Sequence, residues 1–199
     1  MKKINVRGLA VSAIMGSLSF VLMLLAFSLP FLPSFLEFDI SDLPALITSF
    51  AFGPLYGILV CFIKNLLHLL VTRSLMVGEL SNFILGSVFV GIAGLVYKKG
   101  KSKTSAFWGS LLGAAVMALF GVLSNYYVVY PVYAAVFMPY DAILGLYRAI
   151  LPSIKNLWQA LLIFNLPFTF IKGLVDVAIC MVIYKKLSPI LKTGRNERR

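Results

Sequence analysis

Charge is what this sequence has least of. Only 13% of its 199 residues are Asp, Glu, Lys or Arg, and seven are acidic. Soluble domains carry about a quarter charged and about 45–50% apolar residues. The 60% hydrophobic content here therefore excludes a water-facing globular domain. Histidine occurs once, as His68, which argues against a metal centre. The two cysteines, Cys61 and Cys180, sit inside separate apolar stretches without metal-ligand spacing. They read as packing residues and exclude a disulfide framework. Paired carboxylates and a nucleophile elbow are missing too, so an enzyme would need an unusual site. Gly94, Gly100, Lys101 and Ser102 imitate a phosphate loop, but five residues separate the glycines where the motif has four, and no strand precedes them. ATP hydrolysis is not expected of this chain.

What the sequence does have is apolar length. Several stretches approach or exceed the roughly 20 residues that a helix needs to cross about 30 Å of hydrocarbon. Turn and breaker residues divide them into an all-α, six-helix transmembrane bundle with helices at about 4–29, 43–52, 55–71, 80–97, 105–130 and 157–184. Pro30 and Pro33 end the first, Gly53-Pro54 turns the chain between the second and third, and Pro131 ends the fifth. Ser41 or Asp42 caps the second, which at about ten residues is too short to span unaided. Residues 131–156 form a loop or a short interfacial helix over the bundle, and Pro167 kinks the sixth helix. Lys2 and Lys3 precede the first span, yet no small-residue cleavage site follows, so a retained helix is expected rather than a signal peptide.

The net charge of +11 raises the question of nucleic acid, and the placement of the basic residues answers it. Lys2, Lys3 and Arg7 open the chain, and Lys98, Lys99, Lys101 and Lys103 fill one connection. Lys185, Lys186, Lys192, Arg195, Arg198 and Arg199 occupy a basic tail at 185–199. Each cluster flanks an apolar span, which is the positive-inside pattern, and no soluble basic domain accompanies them. With the N-terminus inside, thirteen Lys/Arg fall on the cytoplasmic side and three, Arg73, Arg148 and Lys155, outside. Both termini are thus expected in the cytoplasm, and the chain as a multi-pass protein of the plasma membrane. Glu37, Asp39, Asp42, Glu79 and Asp141 make the outer mouth mildly acidic.

Lys64 and Lys172 fall near the middle of spans, where a charge costs at least about 2.5–3.5 kcal/mol. Lys172 stands one turn before Asp176, so the plainest reading pairs them, with a ligand contact as the alternative. Lys64 and His68 form a polar stripe that reads as a buried contact, a watery cavity or, with Asp176, a proton path. Asn82, Asn125, Asn156, Asn165 and Thr169 add neutral hydrogen-bonding groups, as bundle glue or as ligand contacts. Asn125 is followed by Tyr126, Tyr127 and Tyr130, an interfacial aromatic belt or one wall of a pocket for a flat, partly polar ligand. Gly8, Ser12 and Gly16, with Ala13 and Ser17 on a neighbouring stripe, let another helix approach the first one closely. Gly109, Gly113 and Gly121 do the same on the fifth.

Phe38-Asp39-Ile40-Ser41-Asp42-Leu43-Pro44, Phe52-Gly53-Pro54-Leu55-Tyr56-Gly57 and Ile63-Lys64-Asn65-Leu66-Leu67-His68 follow one another in order. So do Gly78 with Asn82-Phe83, Asn125-Tyr126 before Pro131, and Pro167-Phe168 with Ile171-Lys172-Gly173. Over nearly its whole length the sequence resembles the S components, or substrate-specificity subunits, of energy-coupling factor (ECF) transporters, and most of all the riboflavin-binding type. The resemblance implies a subunit in the plasma membrane of a prokaryotic cell that binds riboflavin on its outer side. It also implies docking on a transmembrane scaffold protein with two cytoplasmic ATPases, which would supply the hydrolysis absent here. By motif position Lys172 is implied to contact the ligand, and Thr169 stands where relatives carry an asparagine. Asn125, Tyr126, Asn82 and Asp42 are further substrate-binding candidates, and Gly8, Ser12, Ala13 and Gly16 are the implied scaffold contacts, although the usual pair of alanines is absent.

Riboflavin has an apolar ring edge, a polar pyrimidine-like edge and a neutral ribityl chain, which calls for aromatic walls and a few fixed polar groups. An anionic flavin phosphate would favour an Arg/Lys cluster, and the mouth is acidic instead. No cofactor is expected beyond the transported vitamin. An S component for another vitamin such as cationic thiamine, and a stand-alone secondary transporter, are the alternatives. No inverted repeat is visible to favour the latter.

Overall fold

A computed structural model of the chain describes residues 5–72, 76–136 and 138–193. Lys2, Lys3, Arg73 and the basic residues Arg195, Arg198 and Arg199 lie outside the described residues. Nine α-helices and one two-stranded ribbon are present among them: α1 (Val6–Leu24), β1 (Phe27–Ser28), β2 (Glu37–Phe38), α2 (Leu43–Phe52), α3 (Pro54–His68), α4 (Val77–Gly100), α5 (Lys103–Ser124), α6 (Tyr130–Val136), α7 (Tyr140–Ile150), α8 (Leu157–Ala160) and α9 (Leu166–Thr193). A 3₁₀ turn, Leu69–Val71, extends α3. Continuous helix joins α5 to α6 and α8 to α9 through π turns at Asn125–Val129 and Leu161–Asn165.

Among the described residues, five segments are long and apolar enough to cross a membrane: Val6–Leu24, Pro54–Val71, Val77–Gly100, Lys103–Val136 and Leu157–Ile183. The ten-residue α2 is not, since about 1.5 Å of rise per residue carries it roughly half-way. It is instead the most enclosed element, with seven residues from Leu43 to Phe50 buried between α1, α3, α4 and α9. Large apolar side chains such as Leu55, Leu70, Trp108 and Leu119 remain exposed on the outer faces of the long helices. A hydrocarbon solvent, not water, suits that surface.

Several boundaries depart from the expectation. The first helix stops at Leu24, before Pro30, because Phe27 and Ser28 turn away to pair antiparallel with Phe38 and Glu37. Pro131 does not end the fifth helix. Proline lacks an N–H and crowds the carbonyl four residues back, and the π turn just before it loosens that stretch of the ladder. Tyr130 N–H reaches back five residues to the Asn125 carbonyl, and Leu166 N–H likewise reaches Leu161, one residue before Pro167. The irregularity expected at Pro167 is thus a π turn. Within 131–156, α7 is the short helix over the bundle, and α9 runs through Thr193, so the first part of the expected tail is helical.

Gly53 joins α2 to α3 at φ +112°, a backbone conformation that disfavours side chains. This tight turn folds α2 back onto α3, and ahead of α2 the buried residues Asp39, Ser41 and Asp42 come within reach of α3 and α9.

Candidate ligand-binding site

Residues 39–42 are held by two buried lysines from different helices. Asp39 Oδ1 accepts the Ser41 N–H at 2.8 Å, closing a turn that presents both carboxylates inward. Asp39 Oδ2 accepts from Lys172 Nζ of α9 at 2.8 Å, and Asp42 Oδ1 from Lys64 Nζ of α3 at 2.5 Å. Lys64 also donates to Ser41 Oγ at 2.8 Å. Lys64 is wholly buried, and each ammonium has its own carboxylate, which removes most of the penalty for placing charge at this depth. Burial pushes the Asp39 carboxyl up. The ammonium groups of Lys172 and Lys64, with hydrogen bonds from Lys172 and Ser41, outweigh that and hold it well below the usual carboxylate range.

The expected Lys172–Asp176 pair is not formed. Helical side chains lean toward the N-terminus, so Lys172 reaches away from Asp176 and toward the segment ahead of α2. Asp176 is fully buried, and its carboxylate has no hydrogen-bond partner among the described residues. Lys64 and His68 share a helix face but diverge at their tips. His68 Nδ1 meets Glu79 Oε1 of α4 at 2.8 Å, and its ring stands edge-on to Phe20. Asp42 precedes α2 without capping it by a side-chain hydrogen bond, because its carboxylate is committed to Lys64.

Next to this network lies a cavity of about 450 Å³, within the range of roughly 300–1,000 Å³ that encloses small-molecule ligands. Met23, Phe35, Tyr130, Tyr133 and Ile143 supply apolar and aromatic wall, and Glu37, Asp39, His68, Glu79 and Asn82 supply polar groups. One wall is braced by a closed triangle. Tyr130 Oη donates to Tyr147 Oη at 2.5 Å, Tyr147 to Asn165 Oδ1 at 2.5 Å, and Asn165 Nδ2 to Tyr130 Oη at 3.0 Å. Each hydroxyl gives one bond and takes one, which closes the set. Phe35 packs edge-on to both tyrosines, with centroids at 6.1 and 5.6 Å.

Of the candidate binding residues, Asn82 lines the cavity, and its buried Oδ1 has no hydrogen-bond partner among the described residues. Lys172 stands behind Asp39, one hydrogen bond from the lining. Asp42 sits deeper, on Lys64. Asn125 is buried at the start of its π turn, Tyr126 packs edge-on to Trp158 at 5.2 Å, and Thr169 is half-buried; none of the three lines the cavity. Sequence reasoning did not single out Glu37, Asp39, His68 and Glu79 as one lining set. Their signal was the acidic outer mouth, which named the charges without bringing them together.

The small-residue stripe of α1 divides. Gly8, Ser12 and Gly16 are buried against α3, where a Cβ on Gly8 would stand 2.7 Å from the Tyr56 ring and one on Gly16 2.5 Å from Ile63. Ser12 Oγ donates to the carbonyls of Gly8 and Tyr56, at 2.8 and 3.4 Å. These three pack within the chain, while Ala13 and Ser17 face outward.

Residues 7–184 match the family model described as ECF transporter, substrate-specific component. The chain belongs to that family. Among its relatives, the Bacillus subtilis riboflavin transporter FmnP is 35% identical over 195 residues, covering 96% of this chain and 97% of that protein. The Staphylococcus aureus riboflavin transporter RibU is 32% identical over 181 residues, covering 90% and 89%. A solved S component of a bacterial ECF transporter superposes with a TM-score of 0.73 at 31% identity, covering 94% of this chain and 98% of that one. For this substrate-specific component, the likeness extends over the whole bundle, including every element that lines the cavity.

Proposed function

We propose that this chain is the riboflavin-binding S component of an ECF-type transporter. It captures the vitamin at the outer face and releases it inward in concert with a separate transmembrane scaffold protein and two ATPases. The observation that carries this reading is the cavity, whose aromatic wall and small set of fixed polar groups match a flat ring system with one polar edge and a neutral chain. The names of the relatives support the same ligand.

In this reading both termini are cytoplasmic, α2 is the sixth, incompletely spanning membrane segment, and the cavity opens outward. The basic connection Lys98–Lys103, at the end of α4 remote from Glu79, supports that orientation. Lys172 acts at the site through Asp39 or directly, once a ligand carbonyl competes for its ammonium, and Asn82 offers an acceptor-and-donor amide to the ring's polar edge. Asn125, Tyr126, Thr169 and Asp42 serve from behind the wall. The scaffold protein meets the outward stripe of α1 at Ala13 and Ser17, while Gly8, Ser12 and Gly16 keep α1 close on α3.

Calorimetric titration of the purified chain with riboflavin tests the ligand, with thiamine as the competing case. Saturable riboflavin binding is expected, and thiamine binding without riboflavin binding would move the chain to the alternative. Liposomes holding this chain alone are expected not to accumulate riboflavin. Accumulation there would point to a stand-alone secondary transporter.

A further inference from the structure

Helix α9 carries a buried acidic side chain that the site as described leaves idle. Asp176 is fully buried, and neither of its carboxylate oxygens has a hydrogen-bond partner among the described residues. An unpaired carboxylate at that depth is costly, which calls for an arrangement of the site in which it is paired. Two cations stand close enough to act on it, Lys172 and Lys64. Lys64 is engaged twice, by Ser41 Oγ and by Asp42 Oδ1. Lys172 is engaged by Asp39 Oδ2. Side chains four residues apart on a helix are neighbours, and the Asp176 carboxylate leans back toward the turn that carries Lys172. The direction of the lysine chain therefore decides its partner: turned toward the segment ahead of α2 it meets Asp39, and turned along α9 it meets Asp176.

We propose that Asp176 is a positioning residue, the reserve counter-charge of Lys172, which takes the ammonium when a ligand engages Asp39. This rests on the riboflavin reading above and adds a residue that touches no ligand. Of the three side chains only Asp39 is among the cavity-lining residues, so it is the one that an incoming donor meets. The imide N–H and ribityl hydroxyls of riboflavin are such donors. A carboxylate that turns to them loosens its hold on Lys172, and a buried ammonium without its counter-charge keeps its full desolvation penalty. Asp176 removes that penalty. The exchange needs a new rotamer of one side chain and no movement of α9.

The test has two arms, both on the full chain in detergent. The first uses no ligand. Asp176→Asn is made in the unaltered protein, in Asp39→Asn and in Asp39→Asn/Lys172→Met, and the folded-to-unfolded ratio is read from unfolding in micelles. With Asp39 present Lys172 is already paired, and Asp176→Asn should lower the ratio little. In Asp39→Asn the ammonium depends on Asp176, and its removal should lower the ratio by about a hundredfold or more. In Asp39→Asn/Lys172→Met there is no ammonium to strand, and the loss should vanish. If Asp39→Asn/Asp176→Asn is too unstable to purify, adding Lys172→Met should rescue it. No loss in Asp39→Asn, a loss of equal size in all three backgrounds, or a failed rescue overturns the proposal.

The second arm titrates riboflavin into the unaltered protein and into Asp176→Asn. Affinity should fall about tenfold in the variant at unchanged helical content. Equal affinity overturns the positioning role. An unaltered protein that binds no riboflavin overturns the riboflavin reading instead, and the first arm still decides whether Asp176 can take Lys172.

Discussion

Removing the Lys172 ammonium, as in Lys172→Met, exposes how much the Asp39 pair holds. The two side chains are only 4% and 12% exposed and meet at 2.8 Å, so the substitution strands a carboxylate in a site that water barely reaches. Breaking one side of a buried pair costs about 3–5 kcal/mol, because the remaining charge keeps its desolvation penalty and loses its counter-charge. Against a total stability of about 5–15 kcal/mol, that is a large fraction. Replacing both partners by neutral groups of similar shape is close to neutral. The double variant Asp39→Asn/Lys172→Met should therefore recover most of the loss. Unfolding in detergent micelles, followed by helical circular dichroism, reads stability for the two singles and the double. Riboflavin titration of the same samples reads the site, and affinity should stay low in the stable double variant. A Lys172→Met protein as stable as the parent, or a double variant no more stable than that single, would refute the idea that this pair fixes the segment over the cavity.

Four further outcomes follow. Tyr147→Phe opens the Tyr130–Tyr147–Asn165 triangle and leaves a buried donor and acceptor unmatched, which should cost about 1–3 kcal/mol in the same unfolding assay. Gly16→Ala presses a methyl group on Ile63 and should cost about 1–3 kcal/mol by overpacking. Ala13→Leu on the outward stripe should leave folding intact and weaken co-purification with the scaffold protein. Asp39 has a carboxyl held below its ordinary pKa, so the folded state binds its proton less readily than the unfolded chain does. Its contribution to stability is full above about pH 4, near the unfolded value, and fades as pH falls further. Asp39→Asn should flatten that acid limb in a pH series of unfolding curves.

Spans were legible in the sequence because apolar length reports directly on what can cross a membrane, and of the breakers the Gly53-Pro54 turn stands where it was expected. Helix α2 was recognisable from its brevity and the Gly53-Pro54 turn that ends it, and Val77–Gly100 from its run of apolar residues ahead of the lysines. The continuation past Pro131 was not legible. Proline marks a conflict in the ladder, and only the three-dimensional chain shows it resolved by a π turn that starts at Asn125. The site was half legible. Lys64 and Lys172 stood out because a charge inside a span demands a partner, but the partner of Lys172 is 133 residues away, and helical spacing pointed to Asp176. Glycines on α1 announced a close approach, and packing alone decided that the approaching helix is α3.

The most direct measurement is the calorimetric titration of riboflavin into the purified full chain, with Lys172→Ala beside it. Saturable one-to-one binding to the parent, weakened in the variant while its helical content is retained, is the predicted result. A parent that shows no heat of binding with riboflavin, while folded by circular dichroism, would contradict the account.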